Sequence, residues 1–411
     1  MALTVKTNNG NLYTYLRKTN EIVDGAIVES LSPLVFNKRE MKREFSNLSV
    51  FTIAVTNKCN LRCTYCCYSG AYRNTRQHGS KSLLLSDIDS IVSFIGDYAK
   101  VFPITVSFYG GECLLEYDLL RRIVDSCQRE WKDNVQFEIS TNGLLLQPDI
   151  IQWCVDNKIT MFISLDGTSE IQDRQRVTIS GKPTFAKVRE ALSYIDANHH
   201  DYFSEKVQLM MTVTEIKELP SIAKNWYADS LLRNKLPLRI SSVYPNYSKG
   251  VSKVNEVDCL STYLRLLDYY VAHPEYTLLK VFFERFLAEW IVRPIFEMAN
   301  ETDCPSCVPY NSKLYIDTDG QIGLCEKIPD VYRFGNIQDG INWDMVDFQK
   351  NKIESIITKR CSTCPIARLC DICPIDIDLS DEEMNVFCHN QRVIQEIKLR
   401  IMCEMAERRL I

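Results

Sequence analysis

Val50-Phe51-Thr52-Ile53-Ala54-Val55-Thr56 runs straight into Asn57-Lys58-Cys59-Asn60-Leu61-Arg62-Cys63-Thr64-Tyr65-Cys66. The first seven residues are apolar and β-branched and read as a buried strand. The loop behind them carries three cysteines with gaps of three and two residues. Thiolates are the usual ligands of iron–sulfur clusters, and a 4Fe-4S cube normally takes four of them. Three in one loop leave one iron open to a small molecule. The plainer readings are a structural zinc site, which asks for a fourth ligand and usually paired spacings, or three buried thiols. Cys67 falls outside the spacing and reads as packing.

Working outward, strand-like runs recur at 104–109, 135–140, 159–165, 207–213 and 238–243. Amphipathic runs lie between them near 86–100, 115–131, 148–157, 184–197 and 216–232. Regular alternation of this kind argues a parallel sheet with right-handed crossovers. Six units make either an open doubly wound sheet or an incomplete barrel, and periodicity does not separate the two. In either arrangement polar clusters at strand ends gather at one mouth. Cys59, Gly110-Gly111-Glu112, Ser140-Thr141-Asn142-Gly143 and Ser164-Leu165-Asp166-Gly167 each follow a strand candidate. Glycine lets backbone approach a ligand closely, although Gly-Gly alone is an ordinary turn signal. Ser140 and Asn142 suit a turn and helix start as well as a ligand.

At 411 residues the length implies two or three domains, and 45% hydrophobic residues suffice for a packed core. No long uncharged apolar run marks a membrane span, and Met1-Ala2-Leu3-Thr4-Val5-Lys6 lacks the order of a secretory signal. The chain is therefore expected in the cytoplasm. There, 17 cysteines are better read as metal ligands than as disulfides. A net charge of -5 with scattered lysines and arginines argues against a nucleic-acid partner.

The domain reading that follows is an N-terminal extension over 1–49 and a partial barrel over 50–250. A helical bridge covers 251–300, a cysteine-rich domain 301–395 and a C-terminal helix 396–411. The extension carries two β-like runs, 11–16 and 21–23. In the cysteine-rich stretch, twelve residues separate Cys307 from Gly320 and four more lead to Cys325. Cys361, Cys364, Cys370 and Cys373 follow with gaps of two, five and two, and then Cys388. With Cys304 there are eight thiols, enough for two closed cubes. A pair of zinc sites is the competing reading. Cys127, Cys154, Cys259 and Cys403 sit in helical or linker patterns and read as small core residues.

The first cysteine loop, with Tyr65 just before its third cysteine, resembles the signature of the radical S-adenosylmethionine enzymes. The second set is similar to the SPASM extension that carries auxiliary iron–sulfur clusters in peptide- and protein-modifying members. The resemblance covers roughly residues 50 to 390. It implies an α/β fold with a partial (β/α)6 TIM-like barrel, followed by a small SPASM domain. It implies S-adenosylmethionine and three 4Fe-4S clusters, one at Cys59, Cys63 and Cys66. By the family's interleaved pattern, Cys304, Cys307, Cys325 and Cys373 would hold the second. Cys361, Cys364, Cys370 and Cys388 would hold the third.

The resemblance further implies that Gly110, Gly111 and Glu112 receive the methionine amine, and that Ser164 and Arg176 serve the cofactor, Arg176 at its carboxylate. Tyr65, Ser140 and Asn142 complete the expected contacts. Three departures stand out: Cys113 where proline is usual, Gln172-Asp173 where His-Asp is common, and a gap of two residues before Cys373 where three is commoner. Arg174, two positions from Arg176, is the rival for its role. Glu326 follows Cys325 where sulfatase-maturing members carry an aspartate, and is the candidate base. The activity so implied is reductive cleavage to a 5′-deoxyadenosyl radical and hydrogen abstraction from a peptide. Thioether or carbon–carbon cross-linking of a ribosomally made peptide is the first reading, and formylglycine formation the second. A non-catalytic electron carrier is the third. An external donor such as flavodoxin or ferredoxin would supply the electron.

Overall fold

The computed structural model describes residues 2–36, 43–70, 77–243, 252–295, 301–302, 312–326, 332–370, 372–373 and 379–411. The chain forms two compact units. One comprises Met1–Met41, Gly250–Cys307 and Phe348–Ile411, and the other Lys42–Lys249 and Val308–Asp347.

The first unit opens with an antiparallel sheet of β1 (Leu3–Lys6), β2 (Leu12–Leu16) and β3 (Glu21–Asp24). A short β4 (Val35–Phe36) follows. The runs expected at 11–16 and 21–23 are thus the second and third strands. Tyr15 stacks edge-on against Trp290, with ring centres 5.1 Å apart, and the Trp290 indole donates to Gln395 at 2.6 Å. Gln395 lies on the long C-terminal helix Asp381–Glu407. That helix starts where Ser380 and Glu383 cap each other's backbone N–H groups, the reciprocal pattern that satisfies a helix's first orphan donors. The end of the same helix grips the N-terminal sheet. Glu407 accepts hydrogen bonds from Thr7, Asn9, Asn11 and Tyr13 at 2.7–3.0 Å.

The second unit holds the alternating region. Its strands are β5 (Val50–Thr56), β6 (Ile104–Gly110), β7 (Val135–Thr141), β8 (Thr160–Ser164), β9 (Val207–Val213) and β10 (Arg239–Ser242). All pair in parallel and in sequence order. The sheet does not close on itself, and the expected partial barrel is what the chain builds. It also continues past β5. There β12 (Lys313–Ile316) adds a seventh parallel strand, followed by the antiparallel β13 (Gln321–Gly323), β14 (Gly335–Asn336) and β15 (Gly340–Ile341). A two-residue β11 (Glu301–Thr302) pairs with β4.

The two faces of this sheet differ. Ile53, Val106, Phe108, Ile139, Met161, Ile163, Leu209 and Met211 are almost wholly buried on one face. Between them Ser107, Tyr109, Glu138, Ser140, Phe162, Ser164, Gln208, Met210 and Thr212 point the other way and are only half-buried. Period-two alternation on central parallel strands means that one face is sealed and the other left open. Among the described residues no helix is long and apolar enough to cross a membrane.

Candidate active site at the carboxyl ends of the strands

Cys59, Cys63 and Cys66 occupy the loop that leaves β5, and all three are half-buried free thiols. The loop is stitched at both edges. Arg62 and Thr64 donate their N–H groups to the carbonyls of Val177 and Gln175, at 2.8 and 2.9 Å. At the other edge, Gly111 and Glu112 donate to Thr56 and Lys58. The N–H groups of Leu61 and Tyr68 point at the sulfurs of Cys59 and Cys66, each at 3.4 Å. Burial pushes the Cys59 and Cys63 thiols up to about 11. Cys66 is also raised, first by a hydrogen bond with Cys67 and then by burial. Cys67 therefore touches the third thiol of the loop. Thiols raised in this way ionise when a metal takes the charge, so the donor set fits a cluster with backbone donors on its ligands. Among the described residues no three ligating side chains converge on a single metal atom. A cube makes no such demand, because it takes one thiolate per iron.

Gly110 and Gly111 are required by the chain's own packing. Gly110 has φ +136°, and a Cβ on it would lie 2.3 Å from the Thr56 carbonyl oxygen. A Cβ on Gly111 would lie 2.0 Å from that of Lys58. Close approach was expected here, but toward a ligand; in the structure the near neighbour is the entry to the cysteine loop. Glu112 is a fully enclosed brace. Its carboxylate accepts from Leu114 N–H, Thr141 Oγ1 and Asn142 N–H at 3.2, 2.8 and 2.7 Å. Burial pushes this carboxyl up, and those bonds oppose the shift. Asn142 passes the tie onward, donating to Asn60 Oδ1 at 2.7 Å while its own Oδ1 accepts from Leu144. The ends of β6 and β7 and the cysteine loop are thus one hydrogen-bonded frame. Cys113, buried behind it, donates to the Ser140 carbonyl.

Two positions separate Arg174 from Arg176, and the fold distinguishes them. Arg174 is exposed and pairs with Glu218. Arg176 is buried, because residues 175–177 run along the cysteine loop, and its Nη1 donates to the Tyr65 hydroxyl at 2.5 Å. Tyr65 in turn donates to Asp166 Oδ2, which also faces Arg176 at 3.6 Å. Asp166 Oδ1 accepts from Thr212 N–H at 2.9 Å, and the Asp166 N–H donates to Gln172 at 2.8 Å. Burial pushes Asp166 up against the opposing pull of Arg176. Burial works against the Arg176 cation, and the neighbouring Asp166 carboxylate and Tyr65 more than offset it. Arg176 Nε is buried without a hydrogen-bond partner. A carboxylate ligand is the chemistry such a donor lacks. Ser164 ends β8, half-buried on the open face.

Glu326 lies beyond β13 and is fixed at two points. Tyr68 Oη donates to its backbone carbonyl at 3.1 Å, and Lys313 Nζ pairs with its Oε2 at 2.8 Å. Cys325 Sγ sits 3.3 Å from the same oxygen. Sequence reading missed Tyr68 and Lys313, since neither lies in a motif. The only signal was that Tyr68 falls two residues past Cys66.

In the other unit, Cys361, Cys364, Cys370 and Cys388 all pack against one apolar group containing Leu34, Ile353, Ile357 and Phe387. Cys361 ends the helix Trp343–Cys361, and Cys364 turns back to bond its carbonyl at 3.0 Å. Arg17 holds the turn from outside, donating to the carbonyls of Ser362 and Cys364. Cys304 and Cys307 lie outside the described residues. Cys325 belongs to the second unit and Cys373 to the first. Cys127, Cys154 and Cys403 are buried and Cys259 half-buried.

An open parallel sheet, a three-thiol loop after its first parallel strand and a buried cation at the strand ends define a cofactor-binding α/β fold. Residues 53–215 match the Radical SAM superfamily and form a radical SAM domain. This is an enzyme domain, and its superfamily binds S-adenosylmethionine and a 4Fe-4S cluster. The chain is 22% identical over 379 residues to a cysteine-type anaerobic sulfatase-maturating enzyme of Clostridium perfringens, covering 84% of this chain and 94% of that protein. A namesake from Clostridium novyi is 28% identical over 159 residues, 38% of this chain and 42% of the relative. The solved structure of native anSMEcpe with bound AdoMet and Kp18Cys peptide has the same fold. It shows a TM-score of 0.64 at 20% identity, over 88% of this chain and 99% of that one.

Proposed function

We propose that this chain is a radical S-adenosylmethionine enzyme that oxidises a side chain of a peptide or protein. The observation that carries the reading is the tie between the cysteine loop and Glu326. Tyr68 leans on Cys66 through its N–H and on Glu326 through its hydroxyl, so a carboxylate is mounted on the frame of the three thiols. Cys59, Cys63 and Cys66 would hold the cluster, and together with S-adenosylmethionine it supplies a 5′-deoxyadenosyl radical for hydrogen abstraction. Arg176 would hold the methionine carboxylate, with Tyr65 and Asp166 keeping the guanidinium in place. The backbone of Gly110 and Gly111 would face the amine, and Glu112 braces that backbone. Ser164 and Ser140 would line the remainder of the pocket. Asn142 keeps one N–H for a ribose hydroxyl after serving Asn60.

Glu326 would accept the proton that a substrate thiol or hydroxyl gives up when its neighbouring carbon loses hydrogen. Cys361, Cys364, Cys370 and Cys388 are read as the ligands of one auxiliary cluster. Cys304, Cys307, Cys325 and Cys373 are read as those of a second. An external flavodoxin or ferredoxin would donate the electron. Of the two side-chain chemistries, formylglycine formation has the support of likeness along 94% of a cysteine-type maturase. Thioether or carbon–carbon cross-linking uses the same base and is the alternative.

The deciding experiment incubates dithionite-reduced protein with a cysteine-containing sulfatase peptide and, separately, with a candidate precursor peptide. Exchange of the thiol for an aldehyde oxygen supports the first chemistry, and loss of two hydrogens within an intact chain supports the second. Cys63→Ala is expected to stop 5′-deoxyadenosine release. Release that continues undiminished in that variant refutes the assignment.

A further inference from the structure

Lys313 has no place in the cysteine pattern or in any strand-end motif, yet it meets the candidate base. It opens β12, the strand that joins the barrel sheet beside β5. Its ammonium lies 2.8 Å from Glu326 Oε2, the oxygen that also receives the Cys325 thiol. Glu138, in the middle of β7 on the same open face, bonds Ser107 and is within electrostatic reach of Lys313. Ser107 and Glu138 are register partners on adjacent strands. Burial lowers the affinity of Lys313 for a proton, but the charges of Glu326 and, more weakly, Glu138 outweigh it and hold that affinity above the usual range.

The backbone of Glu326 is fixed separately, by Tyr68. With the main chain held, the carboxylate still has three side-chain torsions, and Lys313 grips it at Oε2 with a full charge at 2.8 Å. An ion pair in this partly screened setting fixes direction more than it adds stability.

We propose that Lys313 is a positioning residue that aims the Glu326 carboxylate into the open face of the sheet, with the charge of Glu138 on that face drawing its ammonium the same way. The inference rests on the reading of Glu326 as the base. A carboxylate displaced by an ångström loses its reach to the substrate proton, so hydrogen abstraction goes on without completing the reaction. Such displacement is worth about a hundredfold in productive turnover.

The test uses Lys313→Met and Lys313→Arg in the fully reconstituted protein. Two things are measured: the modified cysteine peptide formed per 5′-deoxyadenosine released, and the crystal structure of the methionine variant. In Lys313→Met the ratio is expected to fall by about a hundredfold, with the Glu326 carboxylate turned away from the position it holds in the wild-type protein. Lys313→Arg, which keeps the charge, is expected to recover most of the ratio. An unchanged ratio, or a Glu326 carboxylate that stays in place without Lys313, overturns the proposal. Wild-type protein that releases no 5′-deoxyadenosine defeats the functional reading instead. If it does release it but leaves this peptide untouched, the substrate choice fails, and the crystal structure of Lys313→Met alone decides the role of Lys313.

Discussion

Replacing Asp166 by asparagine probes the frame around Arg176 most directly. The carboxylate is completely enclosed; it accepts from the Tyr65 hydroxyl and the Thr212 N–H, and pairs with the Arg176 guanidinium at 3.6 Å. Asparagine has nearly the same shape and retains an oxygen for Thr212, so the change removes the charge and, with an NH2 now facing Tyr65, the acceptor for that hydroxyl. Arg176 is then a buried cation without its counter-ion. Breaking a buried pair from one side costs about 3–5 kcal/mol, because the surviving charge is uncompensated. For a unit of this size that corresponds to a fall of about 6–20 °C in melting temperature. Arg176→Met should cost a similar amount, since it leaves the carboxylate stranded. The double variant removes both charges, so its loss should be clearly smaller than the sum of the two. Thermal denaturation of the four proteins under anaerobic conditions supplies the cycle, and calorimetric titration with S-adenosylmethionine reports whether Arg176 still binds. Additive losses, or an Asp166→Asn protein as stable as the parent, would refute the argument that the pair is coupled.

Gly111→Ala should be more damaging than its size suggests, because the new Cβ meets the Lys58 carbonyl oxygen at 2.0 Å and cannot be relieved by a side-chain rotation. Iron analysis after reconstitution is expected to show loss of the cluster at the Cys59 loop. Glu407 is held below the ordinary carboxylate range, first by Asn11 and then by Thr7, Tyr13 and Asn9. A depressed carboxylate lends stability above its unfolded value and loses it as pH falls through the folded one. The protection of β1 and β2 amides relative to their intrinsic exchange rate should therefore fall as acidification protonates Glu407, and Glu407→Gln should flatten that dependence. Cys388→Ala should remove the iron of one auxiliary cluster while the S-adenosylmethionine cluster, followed by electron paramagnetic resonance, stays. Unaltered iron content would contradict the grouping of Cys388 with Cys361, Cys364 and Cys370.

Period-two and helical patterns are local, and they placed β5 through β10 within a residue or two. Of the helices between them they overran the last, which ends at Ala228, and left out Ser169–Gln175 and His200–Lys206. The cysteine loop was equally plain, because its ligands sit within eight residues of one another. Long-range choices were not visible. Spacing left Arg174 and Arg176 as rivals; the bonds from Arg62 and Thr64 to residues 175–177 decide between them by burying one and exposing the other. Gly110 and Gly111 were recognisable as a close approach, but only the packed chain identifies the neighbour as Thr56 and Lys58. Lys313 meets Glu326 across the antiparallel turn from β12 to β13, and the pair reaches Tyr68 because β12 joins the sheet beside β5, more than 250 residues away in sequence. Sequence order alone does not specify that pairing, since a strand's pattern says which face it buries and not which edge it will complete.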